Sequence, residues 1–119
     1  MAQVSPFEGP AKLASRSNRR AIIRYRCAPA TIGKVVAAGD QLFQRAWIQD
    51  LSLSGIGMDL ARPISKGNHI LISIKSNDNR KTFELSAQVM HCSALPHDQW
   101  HLGCEFFALL TADDLDQLL

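Results

Sequence analysis

What this chain has little of limits it first. No apolar run approaches the ~20 residues that a bilayer-spanning helix needs, so no segment reads as transmembrane. Met1 to Pro10 lacks the basic start and apolar stretch of a signal peptide, and the expected compartment is the cytoplasm of a bacterial or similar cell. Cys27, Cys92 and Cys104 are odd in number, sit singly inside apolar segments and form no C-x-x-C pair. They read as small buried hydrophobes in a reducing compartment. Neither a G-x-S-x-G nucleophile elbow nor a phosphate-binding P-loop occurs. Nothing places a base beside an activated serine, so no enzymatic activity is expected.

Charge of one sign is scarce at one end and missing from the other. Residues 1–34 carry Lys12, Arg16, Arg19, Arg20, Arg24, Arg26 and Lys34 against the single acid Glu8. Residues 98–119 carry Asp98, Glu105, Asp113, Asp114 and Asp116 with no Lys or Arg. The whole chain is nearly neutral at +2. An arginine cluster on such a chain suggests a local anion site more than a broad nucleic-acid surface.

What remains is enough for one domain. The 119 residues supply one core, and 46% hydrophobic against 20% charged residues argues against wholesale disorder. Residues 1–15 read as a flexible arm, with the domain expected over 16–119. A basic loop from Arg19 runs into a first strand ending near Cys27, and Thr31–Ala37 reads as a second. Gln44–Leu51 is a third, with Trp47 and Ile48 on opposite faces. Ile56, Met58 and Leu60 alternate, as do Ile70, Ile72 and Ile74, and then Phe83, Leu85, Ala87 and Val89. Trp100, Leu102, Cys104 and Phe106 form a last strand. A helix over 111–119 follows, capped by Thr111 with Asp114, its stripe being Leu115, Leu118 and Leu119. Six or seven short strands with one terminal helix predict an all-β barrel or sandwich.

Two constellations carry possible chemistry. Arg20 and Arg24 lie ~13 Å apart if extended; a bend would bring both onto one phosphodiester, and a straight chain would let them hold two phosphates of one ligand. The alternative is a solvated basic strand end, or pairing with the acidic C-terminal region. In Gln49-Asp50-Leu51-Ser52-Leu53-Ser54-Gly55-Ile56-Gly57-Met58, Asp50 and Ser52 share one face of an extended chain, and Leu51 and Leu53 share the other. Gly55 permits a bend or a close approach. Asp50 can accept from the N–H groups of a guanine edge, with Ser52 and the Gly55 backbone on ribose or phosphate oxygens. Equally, Asp-x-Ser can simply cap a turn.

Together, Arg20-x-x-x-Arg24 and Asp50-x-Ser52-x-x-Gly55 resemble the PilZ domain family, whose members are receptors for cyclic di-GMP. The resemblance extends to Leu102-Gly103-Cys104-Glu105-Phe106, similar to that family's terminal G-x-x-F strand. It implies a small six-stranded antiparallel β-barrel with a short C-terminal α-helix, and no cofactor beyond the ligand. Arg20 and Arg24 would clamp phosphates and stack on guanines, Asp50 and Ser52 would meet guanine or phosphate edges, and Gly55 would allow close backbone contact. Arg19 would join the clamp, as in members that bind two intercalated ligand molecules, and His91 is a looser candidate for stacking on a guanine. Residues 12–24 would become ordered on binding and pass the signal to an effector protein.

Two other readings compete. One is a PilZ-like adaptor that binds protein but no nucleotide. The other is an oligonucleotide-binding barrel, which would want more exposed aromatic platforms than Trp47, Trp100, Tyr25 and five Phe provide. His91, Cys92, His97, His101 and Cys104 fall within 14 residues, yet their spacing fits no zinc module. His91 and Cys92, adjacent on a strand, should face oppositely.

Overall fold

A computed structural model describes residues 23–28 and 31–119. Arg19, Arg20 and the arm over 1–15 lie outside the described residues. Within them the chain forms β1 (Tyr25–Arg26), β2 (Ile32–Ala37), β3 (Gln44–Leu51), β4 (Gly55–Leu60), β5 (His69–Lys75), β6 (Thr82–Leu95), β7 (Gln99–Phe106) and α1 (Ala112–Leu118). Every strand pairing is antiparallel.

Following the pairings from β2 through β5, β6, β7, β4 and β3 returns to β2, so six strands close into a barrel. Closure leaves no long free edge. β1 stands outside this ring. It continues the edge that β2 vacates: β2 pairs Gln44 to Trp47 of β3, whereas Tyr25 and Arg26 pair Leu51 and Asp50.

The period-two pattern sets which side faces in. Ile48, Leu51, Ile56, Met58, Leu60, Ile72, Ile74, Val89 and Leu102 line the core and are almost wholly buried. α1 seals one end, with Leu115 and Leu118 buried in that core. Its capping box is complete, Asp114 N donating to Thr111 Oγ1 and the Asp114 carboxylate accepting from Thr111 N. Leu119, expected on the same stripe, is exposed at the C-cap. The turns at this end hold the helix: Leu110 N donates to Leu53 O, and Asn77 N to Gln117 O. No helix among the described residues is long and apolar enough to cross a membrane.

Two bulges interrupt the alternation. In β3 the register slips between Ile48 and Asp50, and in β6 between Val89 and His91. Each bulge gives two successive residues the outward face, Gln49 with Asp50 and Met90 with His91, while Leu51 and Cys92 return to the core side. That broken period hid the second half of β6. The sequence pattern stops at Val89; the strand runs on to Leu95.

Candidate functional site

The two bulges align one row of residues across four neighbouring strands. Asp50 of β3 stands opposite Gly57 of β4, Gly57 opposite Gly103 of β7, and Gly103 opposite His91 of β6. The middle of the row has no side chains, and its ends fold over the gap. A Cβ on Gly57 would lie 2.8 Å from Asp50 Oδ2, and one on Gly103 would strike the His91 ring. The result is a glycine floor on the outside of the barrel, covered by a carboxylate at one end and an imidazole at the other.

Arg24 enters from the segment that leads into β1. Its Nε lies 3.0 Å from Asp50 Oδ1, and its Nη2 also donates to that oxygen. β1 fixes this approach, because Arg26 pairs with Asp50 in the ladder and Cys27 N donates to Gln49 O. The two motif residues that lie 26 positions apart in sequence are therefore in direct contact.

Ser52 and Gly55 sit differently. β3 ends at Leu51, so Ser52 does not share Asp50's outward face as an extended chain would require. It turns inward and is wholly buried. Its Oγ accepts from Gly55 N at 3.0 Å and Ser54 N at 3.3 Å, holding the β3–β4 turn. Leu53 consequently points out rather than into the core. At Gly55 the close approach is made by the barrel itself: a Cβ there would lie 2.5 Å from the Cys104 carbonyl oxygen.

Beside the glycine row lies a second polar cluster that the sequence did not reveal. His101 Nδ1 stands 2.7 Å from Asp59 Oδ1, while Gln49 Nε2 donates to Asp59 Oδ2 at 3.1 Å. His91 and His101 rings are 5.9 Å apart. A signal was present: Gly57-x-Asp59 and His101-x-Gly103 are each outward-facing pairs. Only the antiparallel register of β4 with β7 brings them together.

These groups border two concavities that meet at Arg24 and His101. One, of about 390 Å³, is lined by Arg24, Arg26, Gln49, Asp50, Asp59, Leu95 and His101. The other, of about 290 Å³, includes Arg24, Ser54, Gly55, Met90, His91, His101 and Gly103. Arginine cations, hydrogen-bond acceptors and the exposed His91 ring suit an anionic ligand with planar groups. Among the described residues, no three of His, Cys, Asp or Glu converge as a metal ion would require. Burial, with Asp50 adding to it, pushes the Cys27 thiol up to about 11. Burial, with Cys92 adding to it, pushes the Cys104 thiol up to about 12.

The PilZ domain family model matches residues 15–119. Among solved structures, the chain is similar to the PilZ domain with c-di-GMP of YcgR from Escherichia coli, at 21% identity and a TM-score of 0.64. That match covers 84% of this chain and 86% of the other. It is also similar to the Bacillus subtilis inhibitor of motility MotI/DgrA, at 18% identity and a TM-score of 0.61. Here 92% of this chain is covered but 52% of the other, so the chain spans about half that protein's length. No curated protein matches the chain.

Proposed function

Because the chain belongs to the PilZ domain family, we propose that it is a receptor for cyclic di-GMP that signals to a protein partner. The observation that carries this is the contact of Arg24 with Asp50 at the edge of the glycine floor. Arg24 spends Nε and Nη2 on Asp50, which leaves its Nη1 hydrogens for a phosphodiester and its planar face for a purine. Asp50 accepts from the N–H groups of a guanine edge. The Asp50 carboxylate and the His91 ring rest on Gly57 and Gly103, where any Cβ would push them aside, and each borders a concavity that would take part of the ligand.

Ser52 acts in this reading by holding the turn that presents Ser54 and Gly55 to the ligand. Arg19 and Arg20, carried over from the motif, complete the phosphate clamp. The structural neighbour that holds c-di-GMP supports this choice of ligand. The basic segment before β1 then becomes the part whose position reports occupancy to an effector, in control of motility, biofilm or exopolysaccharide.

Calorimetric titration with cyclic di-GMP, GTP and a short single-stranded oligonucleotide tests the proposal. Micromolar or tighter binding of cyclic di-GMP alone is expected. Heat from the oligonucleotide alone would favour a nucleic-acid-binding barrel. Silence with all three would leave a nucleotide-free adaptor.

A further inference from the structure

The Asp59–His101 pair has no part in the motif, yet it stands in the cleft. Resting on the reading of this cleft as a nucleotide site, we propose that His101 is a titrating contact to the ligand, donating from Nε2 to a phosphate oxygen when protonated. Asp59 is an acceptor and approaches Nδ1 at 2.7 Å, so the Nδ1 position carries a hydrogen. Gln49 holds the other Asp59 oxygen, which fixes the carboxylate and, through it, the ring. The Nε2 atom has no hydrogen-bond partner among the described residues, and the ring borders both concavities.

Charge gives this placement its effect. The larger concavity is lined by Arg24 and Arg26 against Asp50 and Asp59, two positive side chains and two negative. Those four cancel, so the proton on His101 decides whether a phosphate meets a neutral or a cationic wall. The other titratable groups around it are His91 from β6 and Cys104 and Glu105 on β7 itself, all lining the smaller concavity. A ligand phosphate at Nε2 favours the doubly protonated ring, so binding and protonation of His101 are linked.

The test is the pH dependence of the dissociation constant for cyclic di-GMP between about pH 5.5 and 8.5 in the intact protein, His101→Gln, His91→Gln and Asp59→Asn. The intact protein should lose affinity as pH rises, by roughly 10-fold across the range. H101Q should bind more weakly at low pH and show no slope, and H91Q should keep the slope. A slope unchanged in H101Q, or abolished only in H91Q, overturns the assignment. Should H101Q not fold, calorimetry of the intact protein in two buffers of different ionisation heat decides it, since binding without proton uptake also overturns it. Failure of the intact protein to bind cyclic di-GMP at any pH instead overturns the nucleotide reading on which this rests.

Discussion

Arg24 and Asp50 meet through a single carboxylate oxygen, Oδ1, while Oδ2 lies over the glycine floor. Both side chains are partly exposed, at 53% and 28%, and an ion pair in that setting contributes about 1 kcal/mol or less to stability. Arg24→Ala and Asp50→Ala should therefore unfold within a few degrees of the parent in a thermal melt. Each should nonetheless weaken cyclic di-GMP binding on the order of 100-fold, because in the proposed site each would give up charged hydrogen bonds to the ligand. Unchanged affinity in both variants would move the site elsewhere on the barrel.

The three glycines near the cleft should separate by what a methyl group would strike. At Gly55 the obstacle is the Cys104 backbone carbonyl, which cannot swing aside. Gly55→Ala should cost about 1–3 kcal/mol of stability by denaturant titration. At Gly103 the obstacle is the exposed His91 ring, which can rotate away. Gly103→Ala should fold with nearly normal stability and lose affinity, since the His91 ring is then pushed into the cleft. Gly57→Ala should do the same by displacing Asp50. Equal destabilisation in all three would contradict this division.

Ser52 offers a different separation. Its buried hydroxyl satisfies two backbone N–H groups of the turn, and an alanine would leave them without that acceptor. Ser52→Ala should lose about 1–3 kcal/mol, with a melting temperature lower by roughly 4–10 °C. Weakened ligand binding should follow as a consequence of the turn. A stable S52A variant that cannot bind ligand would instead mean that the hydroxyl touches the ligand directly.

Of the three cysteines expected to be buried only Cys104 is, with Cys27 and Cys92 half-buried, and the Cys27 and Cys104 thiols predict an alkaline limit to stability. Cys27 is raised to about 11 and Cys104 to about 12 from an ordinary value of 9.0. The folded state holds these protons more tightly than the unfolded state, so their contribution is complete below pH 9 and fades as pH rises through the folded values. The urea midpoint should fall between pH 9 and 11, with a shallower fall in Cys27→Ser. Iodoacetamide should label Cys104 only after unfolding. An equal alkaline slope in C27S would assign the effect to other groups.

Much of the barrel was legible because apolar residues alternate. Ile56/Met58/Leu60 and Ile70/Ile72/Ile74 each lie on one face of a strand whose ends Gly or polar turns mark. The contact of Arg24 with Asp50 follows the motif pair that singled both residues out. What was not legible depends on events between strands. Ser52 turns in because β3 stops one residue earlier, a boundary that its spacing from Asp50 does not show. β6 runs past Val89 because Met90 is a bulge, which looks like a lost period. Asp59 and His101 lie 42 positions apart and meet only through the register of β4 with β7. β1 shrinks to two residues because the ring closes without it.

The bulges at Gln49 and Met90 also bear on how such a site can change. A strand that loses its bulged residue keeps the same in-and-out order on both sides, so the interior would not notice a one-residue deletion at either place. Asp50 and His91 would keep their partners Gly57 and Gly103, and the local twist that aims their side chains would change while every core leucine and isoleucine stayed at its post. Both walls of the cleft thus hang on residues the barrel can spare. The aim of both side chains is open to change by single-codon deletion as well as by substitution.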